Sequence, residues 1–369
     1  MLERLAEDRA RISELDSQIL DLERALSVLR SQRSVVKERL DAYKYPVLTL
    51  PNEVIAEIFV HYIPKYPACP PLAGIQSPIL LTHICRLWRG IALATPKLWR
   101  AVSLSSRSRF SLNPKNIWLS RAGRYPLAIR MNETDGFTVD DPSLSNAFLS
   151  HRTRCEYLEL RFGNYLPLLG QFGGDFSLLK HLDLEIDEQP HVKIEFPRAP
   201  MLRSVVLDVF AARWIVLPWS QLTTLALHTI SLESCVPVLE KAVNLSECHL
   251  KIVINDENYI AHPRIMLPHL KSLKAYCDGL PMNTFLDSFT LPLLSKLDVC
   301  EELLGLDCIS SLRTFISRSE CKLQYLRIFS MNSDSANSYS AAFPSIQEVT
   351  LGTDEEYEHL QLLWHFLSS

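Results

Sequence analysis

The chain reads as an α/β protein: a long N-terminal helix, a small helical module, then an irregular solenoid of parallel strands closed by a C-terminal helix. Three observations predict this. A heptad of apolar residues runs through residues 5–40. A proline-punctuated segment at 46–104 carries three short apolar-patterned units. From Cys155 onward the phrase apolar-x-x-apolar-x-apolar recurs nine times at intervals of 20 to 29 residues. The boundaries that follow are 1–45, 46–104 and 105–369.

In the first segment, heptad position a holds Leu5, Ile12, Ile19, Leu26, Arg33 and Leu40, and position d holds Asp8, Leu15, Leu22, Leu29 and Val36. Isoleucine at a with leucine at d in the middle heptads favours a parallel two-stranded coiled coil. Asp8 and Arg33 interrupt the stripe near its two ends. Of the flanking charges, Arg11 faces Asp16 and the rest give no clear attraction, so partner choice is weakly encoded. Residues 5–40 either pair with a second copy as a homodimer, fold back on their own chain, or fray alone. Pro46 ends the helix near Lys44-Tyr45.

The second segment opens on Leu50-Pro51-x-Glu53, with Pro51 suited to a first helical turn. Val54, Ile55, Ile58 and Phe59 follow at helical spacing. Cys85-Arg86-x-Trp88-Arg89 with Ile91-Ala92 marks a second helix, and Pro96-x-Leu98-Trp99 a third unit. Between Phe59 and Cys85, five prolines (Pro64, Pro67, Pro70, Pro71, Pro78) preclude a continuous helix and predict an inserted surface loop. The order and spacing of these phrases resemble an F-box, the helical module by which substrate receptors dock onto a Skp-type adaptor in a cullin–RING (SCF-type) ubiquitin ligase. The resemblance implies adaptor contacts by Leu50, Pro51, Ile55, Ile58, Phe59 and Trp88.

In the third segment the phrases are CEYLEL (155), LKHLDL (179), LRSVVL (202), LTTLAL (222), LSECHL (245), LKSLKA (270), LSKLDV (294), LQYLRI (323) and IQEVTL (346). Alternation within each phrase predicts a strand with one buried side. Prolines at 200, 268, 292 and 344 mark turns into strands. The earlier strings WRAVSL (99–104) and PLAIRM (126–131) read as strands that begin the stack, with a helix over 116–124 closed by Gly123 between them. The periodicity resembles leucine-rich repeats. It lacks their capping Asn or Cys three residues beyond the phrase, where Gly163, Asp187, Phe210 and Ile230 stand in the first four units. That absence predicts an irregular array. Residues 355–367 suit a terminal helical cap.

Third, fifth and seventh phrase positions are expected to form the exposed strand face. They include Tyr157, Glu159, Arg161, His181, Asp183 and Glu185 early, a net acidic set. Later come His249, Lys274, Tyr276, Lys296, Asp298, Tyr325, Arg327 and Phe329, a mixed set with more basic and aromatic residues. A charge-graded face with aromatic anchors suits a protein ligand. The block Tyr157, Glu159, His181, Asp183, His249, Lys274, Tyr276, Lys296, Tyr325 and Arg327 is the candidate substrate-binding face.

Composition narrows the function. A net charge of −4 gives no general electrostatic grip on nucleic acid or an anionic membrane, and no apolar run is long enough to span a bilayer. The charged N-terminus is unlike a signal peptide, and nine cysteines without CxxC spacing suit reduced thiols, so a cytoplasmic or nuclear protein is expected. No GxSxG, HExxH or GxxxxGK[ST] occurs, and Gly170, Gly173 and Gly174 form no dinucleotide fingerprint. The expectation is a non-enzymatic substrate receptor without cofactor or metal, in which ubiquitin transfer is performed by other subunits. The alternative is a scaffold, dimerised by the coil, with the F-box-like segment as a vestigial cap.

Overall fold

The computed structural model describes residues 2–42, 46–105, 118–132, 149–162, 174–186, 189, 193–196, 198–253, 264–278, 285–329 and 336–352. The chain divides into two compact units, Met1–Ile58 and Phe59–Ser369. That boundary falls inside a helix, at neither residue 45 nor residue 104. The candidate cap at 355–367 lies outside the described residues.

The first unit is dominated by α1 (Leu2–Ala42). Its described side chains are exposed from end to end, including all nine apolar heptad positions. A 3₁₀ turn at Pro46–Thr49 leads to α2 (Asn52–Tyr62), which crosses the unit boundary. The Pro51 carbonyl accepts from Val54 N and Ile55 N, each at 3.1 Å, which closes the first turn. Two apolar stripes run along α2 at i,i+4 spacing. Ile55 and Phe59 are buried, while Val54 and Ile58 are exposed.

In the second unit the predicted single helix around Cys85 is two. Pro78 is not part of the loop but the first residue of α3 (Pro78–Ile84), capped by Ser77 Oγ, which accepts from Ile79 N at 3.2 Å. Cys85 is extended and starts α4 (Arg86–Leu93), its Sγ accepting from Trp88 N at 3.5 Å. Arg89 Nε donates to Thr82 O at 2.7 Å and ties the two helices together. Phe59 and Trp88 pack ring to ring at 4.8 Å.

A 3₁₀ turn at Pro96–Trp99 runs directly into the sheet. Trp99 is fully buried; its Nε1 donates to Ala92 O at 2.9 Å, and its ring stands edge-on to Trp118 at 5.0 Å. Trp118 Nε1 donates in turn to Ala101 O at 3.2 Å, in the first strand. Two buried indoles thus join the short helices to the strands, and each satisfies its polar N–H.

An eleven-stranded, wholly parallel sheet makes up most of this unit. Its strands are β1 (Ala101–Ser105), β2 (Leu127–Asn132), β3 (Cys155–Phe162), β4 (His181–Ile186), β6 (Ser204–Asp208), β8 (Thr224–Ile230), β9 (Glu247–Val253), β11 (Ser272–Asp278), β13 (Lys296–Cys300), β14 (Tyr325–Phe329) and β15 (Glu348–Gly352). They are neighbours in chain order without exception. Each of the nine phrases coincides with a strand, and the two earlier strings supply β1 and β2. Small two-stranded pairs lie between them in sequence: β5 (Ile194–Glu195) with β7 (Ile215–Val216), and β10 (Ile265–Met266) with β12 (Phe289–Thr290). Residues 118–121 are helical and Gly123 has φ +59°.

Register aligns like with like. One ladder runs Val102, Ile129, Leu158, Leu182, Val205, Leu225, Cys248, Leu273, Leu297, Leu326 and Val349. All but the last are buried. A second ladder two residues on, through Leu160, Leu184, Leu207, Leu227, Leu250 and Ala275, is equally buried. The turns into the strands repeat too. Leu202, Leu270, Leu294 and Ile346 each donate N–H to the carbonyl three residues earlier, at 3.1 to 3.3 Å. In each case a proline occupies the second turn position, where its fixed φ fits.

Irregularity is local. The β8–β9 register shifts between Leu227 and Ile230, where Thr229 adopts φ +52°. The connection before β9 contains α6 (Leu232–Leu239), following α5 (Val209–Trp214). Leu250→Ala should destabilise the protein by about 3 kcal/mol in urea unfolding, because a fully buried ladder position leaves a cavity. Glu247→Ala, exposed on the same strand, should change it by less than about 0.5 kcal/mol.

Candidate functional site

Side chains of the other strand face form ladders of their own. The middle one reads Ser103, Arg130, Glu159, Asp183, Val206, Ala226, His249, Lys274, Asp298, Arg327 and Thr350. Two charged stretches are therefore separated by an apolar gap at Val206 and Ala226, both buried. In the first stretch Arg130 pairs with Glu159. Arg161 lies 3.1 Å from Glu159, 3.5 Å from Glu185 and 4.0 Å from Asp183. Three carboxylates thus share two guanidiniums.

The face is deeper than strand alternation predicts. His181, Asp183, His249 and Tyr276 were expected to be exposed and are buried, as are Asp298 and Phe329. Strands in register stand ~4.8 Å apart, so long side chains on adjacent rungs cover one another. These four candidate residues form the floor of the face rather than its contact surface. Tyr157, Glu159, Lys274, Tyr325 and Arg327 are half-buried, and Lys296 is exposed. His181 Nδ1 sits 2.9 Å from Ser204 Oγ.

Burial sets the protonation of this floor. Desolvation, reinforced by Glu159, raises the Asp183 carboxyl from 3.8 to about 7, against the pull of Arg161. Desolvation lowers the His181 imidazole to about 4 and, with Lys274 adding to the effect, His249 to about 3. Burial also raises Asp298, opposed by Lys274 and Arg327. At neutral pH both buried imidazoles are uncharged, and Asp183 is poised near half-protonation.

The proline-rich segment between α2 and α3 folds onto the start of this face. Tyr66 OH donates to Glu156 Oε2 at 2.8 Å, and its ring meets Tyr157 edge-on at 5.5 Å. The Arg100 guanidinium lies 3.7 Å from the Tyr66 ring centroid, and Lys180 Nζ donates to the same Glu156 carboxylate. Burial and the Glu156 hydrogen bond hold the Tyr66 phenol well above its ordinary range. Burial lifts the Cys69 thiol to about 11 despite nearby Arg130. Sequence reading missed Tyr66, Arg100 and Glu156. No local signal relates a loop tyrosine to a glutamate 90 residues away.

The helical segment presents a different surface. Of the residues the F-box resemblance implies, Leu50, Pro51 and Ile58 are exposed in the first unit. Ile55 is buried there, and Phe59 is buried in the second unit against Trp88, which is half-buried. Ile55 and Phe59 are therefore packing residues, not contacts. Val54 adds an exposed apolar side chain one turn before Ile58. Within the second unit Leu80, Ile84 and Leu87 are exposed on α3 and α4.

Among the described residues one group has metal-ligand spacing: Cys277, Cys300 and Glu302, with donor atoms within 4.8 Å of one another. The two sulfurs lie 3.4 Å apart and both are buried. The hydrogen bond to Cys277 and burial raise the Cys300 thiol. Among the described residues no helix is long and apolar enough to cross a membrane. No family model matches the chain, and no curated protein matches it.

Asp183 gives a pH test. A carboxyl raised from 3.8 to about 7 binds its proton more tightly folded than unfolded, so its contribution falls as pH rises from about 4 to 7. The two histidines act oppositely, since a lowered folded value loses stability as pH falls from about 6.5 to 4. Asp183→Asn should therefore leave stability nearly unchanged at pH 4 and raise it on the order of 1 kcal/mol at pH 8. Denaturant titrations of both proteins across that range measure the difference.

Proposed function

We propose that the chain is a substrate receptor of an SCF-type ubiquitin ligase, an F-box-like segment joined to an irregular leucine-rich-repeat-like array. The Skp-type adaptor engages the exposed Leu50, Pro51, Val54 and Ile58. A protein substrate is held on the polar strand face, and ubiquitin is transferred in trans by other subunits, through proximity alone.

The observation that carries this reading is the split of α2 into two apolar stripes. Ile55 and Phe59 are buried in the fold, while Val54 and Ile58 stay exposed at 44% and 45% of their surface, a helix side with no internal use. The short helices then run without a linker, through Trp99 and Trp118, into the strand array. On the strand face, the half-buried Tyr157 and Tyr325 beside charged neighbours suit a protein ligand better than a small apolar one.

Co-purification of the full chain with a Skp-type adaptor tests the first half. Leu50→Ala with Pro51→Ala, and separately Ile58→Asp, should each cost about 2 kcal/mol or more of adaptor affinity while the melting transition of the strand array is retained. A folded wild-type chain that fails to bind the adaptor favours the scaffold reading instead. For the second half, Lys274→Glu with Lys296→Glu should weaken capture of the ligand identified by mass spectrometry at least about tenfold. Unchanged capture rejects this face.

A further inference from the structure

We infer that α1 pairs with α1 of a second copy in antiparallel orientation, in one register set by Asp8 and Arg33. This inference does not rest on the adaptor reading.

All nine apolar a and d residues of α1 are exposed, from 41% at Leu15 to 69% at Leu22 and Leu40. An apolar stripe of nine heptad positions along a 41-residue helix, interrupted at Asp8 and Arg33, needs a covering surface. The choice of occupant and its direction comes from the two polar interruptions. In a parallel, in-register pair each heptad residue meets its own copy, so Asp8 meets Asp8 and Arg33 meets Arg33 inside the seam. Both are like-charge contacts in a desolvated position.

In an antiparallel pair each a residue packs beside a d residue of the other helix. One alignment sets Ile19 against Leu22, Ile12 against Leu29, Leu26 against Leu15 and Leu5 against Val36 of the second copy. The same alignment sets Arg33 against Asp8. Symmetry forms that pair twice, once near each end, and no apolar seam residue between them is left facing a charge. The two residues that interrupt the heptad are therefore complementary to each other in a self-pair of this direction. A polar seam residue fixes register and orientation in this way. The charged flanking contacts oppose it, as Arg9 comes near Arg30, Asp16 near Glu23 and Arg4 near Arg39. These positions are exposed, where such pairs count for little. Ion pairs within the helix, Arg11 with Glu14 and Arg24 with Asp21, do not draw on either seam charge.

The consequence is geometric. At 1.5 Å per residue α1 is about 60 Å long, so the two chains leave the coil at opposite ends, about that far apart. A parallel coil would bring both exits together.

Sedimentation equilibrium of the full chain should show a dimer, and Ile19→Asp should yield a monomer. Asp8→Arg and Arg33→Asp should each weaken the dimer about tenfold, and the double variant should restore it. Energy transfer between chains labelled at the N-terminal amine should be low, as expected for ends about 60 Å apart. The substituted side chains are exposed, so the unfolding transition of the strand array serves as the control for folding. A wild-type monomer, a dimer that survives Ile19→Asp, single charge reversals without effect, or efficient N-terminal energy transfer would each overturn the inference.

Discussion

In-register stacking of parallel strands is the constraint on which the second unit depends. Each rung places a residue directly beside its equivalent in the next repeat, so a position on the core side of the sheet must be apolar throughout. The ladder from Val102 to Val349 meets that condition with aliphatic residues and one cysteine, Cys248. The turn that recurs before most strands, with proline in its second position in four repeats, returns the chain to the same register. Hydrophobic burial and backbone pairing are satisfied by the same translation, which is why repeats of unequal length can still stack.

That stacking also shapes the polar side. Charged residues brought within ~4.8 Å of each other must pair or shed charge. The Arg130, Glu159, Arg161, Asp183 and Glu185 cluster takes the first course for most of its members, and Asp183 takes the second. Burial of His181 and His249 as neutral rings follows from the same crowding. The face is thus a layered surface, with a neutral or ion-paired floor beneath half-buried tyrosines, lysines and arginines. The proline-rich segment narrows one end of it by seating Tyr66 against Tyr157 and Glu156.

The first unit is organised differently. The long helix buries none of its heptad stripe, whereas α2 buries one of its two stripes and leaves the other open. Exposed apolar surface in this chain is thus concentrated on helices that precede the sheet, while the sheet hides its own.

The sequence by itself determined the strands, the long helix and the turn positions, because period 2, the heptad and proline's fixed φ are local properties. It placed all nine phrases and both leading strands. It misjudged Pro78 as loop, since one residue cannot say whether a proline ends a helix or begins one until its cap, here Ser77, is in place. Only the tertiary structure decided which strand-face residues remain accessible, because the burial of His181, Asp183, His249 and Tyr276 comes from neighbours twenty or more residues away. It likewise separated Ile55 and Phe59 from Val54 and Ile58, which share one short helix and one apolar character. Periodicity marks both stripes of α2 as apolar; only packing selects which of them stays exposed.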